Sequence, residues 1–137
     1  MIKVFLDTNI LVDLIADRRP FSKHAIEIFK SAEEHKVQLF TSSHSIATTH
    51  YLLKKYVEEK ELRNILLNLL EFLEVIPVDL DVLKKGLRSN HKDFEDAVQI
   101  FCASLIAGIN FIVTRNTKDF KTSEIAVLTP DEMCLKL

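Results

Sequence analysis

The chain is poor in the residues that loosen a protein: 137 residues hold two glycines and three prolines. That scarcity leaves no room for a flexible linker or a low-complexity tract. No internal repeat at a fixed period is present either. The two cysteines, Cys102 and Cys134, lie in apolar surroundings without CxxC spacing. They exclude a disulfide framework and read as reduced packing residues. No apolar run approaches the ~20 residues that span a bilayer. The opening stretch, Met1 to Asp7, is too short in its apolar part for a signal peptide and has no small-residue cleavage site. A cytoplasmic protein with no membrane association is expected.

Basic excess is missing as well. Eighteen lysines and arginines face twenty acids, for a net charge of −2. Proteins that grip long stretches of nucleic acid draw much of their affinity from neutralised phosphates, and this chain is not built that way. Any nucleic-acid chemistry must then be local, with metal ions offsetting phosphate charge, or depend on a partner. No GxGxxG, Walker-type loop, GxSxG or HExxH occurs, which removes dinucleotide enzymes, P-loop NTPases, α/β-hydrolases and zincins. The five histidines, His24, His35, His44, His50 and His91, have no ligand spacing and read as surface or packing residues.

What is present is an α/β pattern filling a chain about one domain long, so residues 1–137 are expected to form one unit. Ile2–Leu6, 37–40, 75–78, 111–114 and 125–128 read as short strands, and Pro77 puts the third near an edge. Helical patterns cover 9–16, 21–34, 42–56, 60–73, 82–87 and 95–107, with Gly108 at a left-handed stop after the last of these. Thr129-Pro130-Asp131-Glu132 opens a final short helix. Strands alternating with helices imply a parallel sheet flanked by helices on both faces. Ligands of such sheets sit beyond the carboxyl ends of the strands.

Acids gather at those ends. Asp7 follows the first strand, within an Asp7-Thr8-Asn9 triplet whose hydroxyl and amide can support the carboxylate; capping the next helix is the competing role. Asp93 and Asp96 open the long apolar helix, Asp93 at the position of an N-cap. Asp96 begins a face running through Ile100, Ala103 and Ala107, where an acid without a programmed cation suggests a metal. After the fourth strand come Asn116 and Asp119, which can ligate a cation or simply organise a turn. Arg115, Lys118 and Lys121 lie beside them and can hold phosphates or be solvated charge. Hard oxygen donors without cysteine or histidine suit Mg²⁺ or Mn²⁺. Such an ion can activate water against a phosphodiester.

Four segments carry a resemblance: FLDTNILVDLI, KDFEDAVQIFCASLIAG, FIVTRNTKDF and the closing IAVLTPDEM. In this order they span nearly the whole chain. The sequence resembles PIN-domain proteins, and more narrowly the bacterial branch related to VapC-type toxins. The resemblance implies a PIN-like α/β fold and a metal-dependent endoribonuclease, the toxin of a toxin–antitoxin pair, with an antitoxin partner and a homodimer. It makes Asp7, Asp96 and Asn116 metal ligands and catalytic residues, with Asp119 as the extra acid. Thr8, Asn9, Thr48 and Asp93 stand around them. The family's glutamate after the second strand has no counterpart; Thr48 aligns there, with Thr49 and His50 as neighbours. An RNA- or protein-binding PIN module that does not cut is the alternative.

Overall fold

The computed structural model describes residues 1–137. Its first element is strand β1 (Ile2–Leu6), in which Val4, Phe5 and Leu6 are all fully buried. Such a strand, apolar on both faces, belongs at the centre of a parallel sheet. It does sit there. The sheet has the order β3-β2-β1-β4-β5, with β2 (Val37–Ser42), β3 (Leu73–Ile76), β4 (Phe111–Val113) and β5 (Ala126–Leu128). Every pairing is parallel, and Val4 is level with Leu39 on one side and Phe111 on the other.

Alternation along β1 divides the core. Val4 and Leu6 face helices α1 (Thr8–Ile15), α2 (Phe21–Glu33), α3 (Ser43–Leu53), α4 (Glu59–Leu69) and α7 (Pro130–Cys134). Phe5 faces α5 (Leu80–Arg88) and α6 (Phe94–Ser104), along with Phe40, Ile112 and Phe120. The expected fold is therefore observed: a parallel sheet with helices on both faces. Helices α5 and α6 approach closely at Gly86, where a Cβ would meet the Phe94 ring at 3.1 Å.

Several boundaries differ from the sequence pattern. Strand β3 lies two residues earlier than the pattern suggests, because Pro77 has no N–H to extend the ladder. The next amide, Val78, donates to Ser43 Oγ at 2.9 Å instead. As expected of the Pro77 region, β3 is an edge strand. Helix α4 ends at Leu69, and α6 ends at Ser104 rather than 107. Ala107 is thus exposed, outside the helix, and its carbonyl accepts from Lys3 Nζ at 2.7 Å. Gly108 does adopt the left-handed conformation (φ 74°), in the turn beyond the helix. A 3₁₀ turn at Thr117–Phe120 has no signature in the periodicity. Helix α7 carries a full capping box between Thr129 and Glu132. No helix is long and apolar enough to cross a membrane.

Candidate active site

The chain leaves β1 and runs outward through β2 to β3, then returns to lay β4 against the other side of β1. That reversal opens a crevice at the carboxyl end of β1, where ligands of such sheets bind. Asp7 stands there, 7% exposed. It does both jobs the sequence left open. Its Oδ1 accepts from the Thr8 amide at 2.8 Å as the cap of α1, and the carboxylate also faces a pocket of about 240 Å³.

Four groups hold this carboxylate. Besides the Thr8 amide, the Gln99 amide donates to Oδ1 at 3.0 Å, while Thr114 Oγ1 (2.8 Å) and Asn9 Nδ2 (3.4 Å) donate to Oδ2. Gln99 is itself fixed. Its Oε1 accepts from Ser42 Oγ at 2.5 Å, and its Nε2 donates to Ser45 Oγ at 2.6 Å. Ser45 in turn is hydrogen-bonded to Thr8 Oγ1 at 2.9 Å. Buried polar groups joined this fully form a rigid scaffold and fix where Asp7 points. Gln99, Ser45 and Thr114 were not singled out from sequence, and Ser42 stood only at the start of a helix, which it does cap. Gln99 alone gave a signal, as the polar residue one turn after Asp96 in an otherwise apolar run.

Asp96 enters the same pocket from α6. Asp93 caps that helix by accepting from the Asp96 amide at 3.0 Å. The Asp96 carboxyl is pushed up to about 7, by burial first and then by the charges of Asp93, Asp7, Asp119 and Glu95. Neither Asp7 nor Asp96 forms an ion pair. Concentrated negative charge with no cation paired to either aspartate is the environment a divalent cation fits.

Thr48 also lines the pocket, from α3, and shares a 3.3 Å hydrogen bond with His44 Nε2. Its neighbours differ from it in place: Thr49 is buried and bonds Ser45 O, and His50 pairs with Glu59. Three further pocket residues were not anticipated: His44, Glu95 and Arg18. Glu95 brings a third carboxylate to the rim, 3.8 Å from His44 Nε2. Arg18 is the one cationic side chain in the pocket wall apart from the titratable His44.

Asn116 and Asp119 lie outside this wall. The Asn116 amide donates to Asp119 Oδ2, so the turn role is present, and the Asn116 N–H donates to Thr114 Oγ1 at 3.0 Å. Asn116 therefore connects to Asp7 at one remove, through Thr114. Lys118 and Lys121 line an adjoining polar cavity of about 370 Å³ with Asp93 and Asp119. Arg115 is engaged elsewhere in this structure. Its Nε and Nη2 donate to the buried Asp13 at 2.6 and 3.1 Å, and its guanidinium lies 4.1 Å from the Phe21 ring centroid. A side chain committed to a buried acid and a ring is poorly placed to leave for a phosphate.

With this geometry in place, comparison with known proteins is decisive on ancestry. Residues 3–118 match the PIN domain family. The chain belongs to that family. Ribonuclease VapC1 of Aquifex aeolicus (strain VF5) is 34% identical to it, over 96% of this chain and 93% of that protein. Among solved structures, a toxin–antitoxin complex from Klebsiella pneumoniae superposes with a TM-score of 0.67 at 28% identity, covering 93% of this chain and 97% of that one. PAE2754 from Pyrobaculum aerophilum shares the fold, with a TM-score of 0.67 at 18% identity, covering 98% and 88%. Membership of the PIN domain family carries divalent-metal chemistry with it, and the Asp7–Asp96 pocket has the oxygen donors that chemistry needs.

Proposed function

We propose that this chain is a metal-dependent endoribonuclease and the toxin half of a toxin–antitoxin pair. The observation that carries the reading is the meeting of Asp7 and Asp96, from β1 and α6, in one pocket without a cationic partner for either. Likeness to a ribonuclease over nearly the full chain supports the reaction class. The Klebsiella toxin–antitoxin complex supports an antitoxin partner, and the cytoplasm is the compartment that suits both.

Mg²⁺ or Mn²⁺ is the expected ion, held by Asp7 and Asp96 with Asn116 completing the set. When bound, it offsets phosphate charge and strengthens a water as nucleophile. The protein's own residues do the rest. Thr8, Asn9, Gln99 and Thr114 keep Asp7 in one orientation, and Asp93 fixes the start of α6 and so the reach of Asp96. Arg18 at the rim is suited to a substrate phosphate, and Lys118 and Lys121 to the strand beyond it. Glu95 offers at the rim the third carboxylate that Thr48 does not supply.

A second reading, a PIN module that binds RNA or protein without cutting, is favoured by Thr48 alone. Incubation of a structured RNA with the protein, with and without Mg²⁺ or Mn²⁺, separates the two. Metal-dependent cleavage is expected, and Asp7→Asn and Asp96→Asn should each slow it by on the order of 100-fold or more while circular dichroism stays native. Parental rates in either variant would remove that residue from the site. Absence of metal-dependent cleavage by the parent favours the binding module.

Residues 1–137 are taken as one unit, which self-associates. Tyr51, Tyr56 and Leu67 on α3, α4 and their connection are more than 60% exposed, and Phe72 is exposed beside them. Phe29 is buried, and Phe21 is exposed with the Arg115 guanidinium against its ring. Light scattering at micromolar concentration should return a dimer mass; a monomer mass rejects it.

A further inference from the structure

Away from the aspartate pocket, the short C-terminal helix meets α2 through His24, Glu27 and Cys134, the last of which also packs against the core. His24 and Glu27 are three apart on α2 and therefore share a face. Cys134, the last residue of α7, lies over them, its Sγ 3.6 Å from the His24 carbonyl. One ligand atom from each of the three residues falls within 4.8 Å of the others. His24 Nδ1 is buried without any hydrogen-bond partner, the only buried side-chain nitrogen or oxygen in the chain so placed. A polar atom of this kind is costly to leave unmatched.

We propose that His24, Glu27 and Cys134 form a second metal site, for Zn²⁺ or a similar thiophilic ion, that fastens α7 to α2. A thiolate, an imidazole and one carboxylate are zinc donors, and a thiol is a poor ligand for Mg²⁺. A tetrahedral ion with bonds of ~2.0–2.3 Å holds its ligand atoms about 3.5 Å apart, so the cluster has about an ångström to close. Side-chain rotation covers that range. The ion would give the His24 ring the partner it lacks. Cys134 is a free cysteine packed against the core, as the sequence reading expects, and the proposed site adds a role to that packing.

Cobalt provides the probe, because its bond to a thiolate absorbs in the near ultraviolet and oxygen ligands give no such band. The full chain, stripped with a chelator, should show this band at one equivalent of Co²⁺. Asp7→Asn should leave the band in place, which separates this site from the aspartate pocket. Cys134→Ser should abolish it. Glu27→Gln, an exposed position that tolerates change, should weaken cobalt and zinc binding on the order of 10- to 100-fold. Zn²⁺ should raise the melting temperature of the parent and of Asp7→Asn, but not of Cys134→Ser. If Cys134→Ser does not fold, Glu27→Gln decides the matter by the same two readouts. Absence of a thiolate band in the folded parent, its survival in Cys134→Ser, or unchanged affinity in Glu27→Gln each overturns the site.

Discussion

Gln99 donates to Asp7 Oδ1 at 3.0 Å and thereby ties α6, which carries Asp96, to the end of β1, which carries Asp7. One amide links the two acid-bearing elements directly. It is 2% exposed, and its other contacts are Ser42 and Ser45.

Gln99→Leu is therefore expected to damage both stability and catalysis. The leucine fills the volume but removes three buried hydrogen bonds, leaving Asp7 Oδ1 only the Thr8 amide and the two serine hydroxyls to each other and Thr8. Buried groups stranded in this way cost about 1–3 kcal/mol. Urea denaturation reads the first effect and RNA cleavage the second. An unchanged unfolding midpoint would show that the network adds nothing to the fold.

Acidity of the site gives a pH dependence with a definite sign. The Asp96 carboxyl is raised from its ordinary value of 3.8 to about 7. The folded state thus prefers the protonated form. Its contribution to stability is complete below 3.8 and is lost as pH climbs through about 7. In chelator, the melting temperature should fall across this window, and Asp96→Asn should remove part of the fall. Calorimetry on both proteins isolates the contribution of this acid. A parallel pH course in the two would reject the assignment. Adding Mg²⁺ at the alkaline end should restore the parent selectively.

Thr48 offers a gain-of-charge experiment. It lines the pocket with Asp7 and Asp96, where the family's glutamate is expected. Thr48→Glu should tighten Mn²⁺ binding about tenfold or more by adding a hard anionic ligand. Isothermal titration on both proteins tests it. Binding no tighter in a folded variant would mean that the longer side chain points elsewhere or that the pocket is not a metal site. Glu95→Gln, tested beside it, should weaken binding if the rim carboxylate already stands in for the missing acid.

The order of elements was readable because apolar period is strong: Val4, Phe5 and Leu6 in a row announce a strand buried on both faces. Asp7 and Asp96 were readable because carboxylates next to apolar runs need a reason. The scaffold around Asp7 was not. Ser42, Ser45 and Thr114 are small hydroxyl residues at element ends, where capping explains them equally well, and only the fold brings them to one carboxylate. Arg115 misled for a related reason. Its neighbours in sequence are Asn116 and Lys118, whereas its partner in space is Asp13, 102 residues away.

Parallel order also sets a timetable. Asp7 is made well before the residues that orient it: Gln99 and Thr114 follow 92 and 107 positions later. A growing chain on the ribosome, released from the N-terminus first, carries an unsupported Asp7 until β4 has emerged. Contacts this distant in sequence form late and slowly. A nascent or truncated chain lacking β4 therefore has no assembled centre. On the proposed function, the carboxylate network is therefore completed only once residues 99 and 114 are both in place.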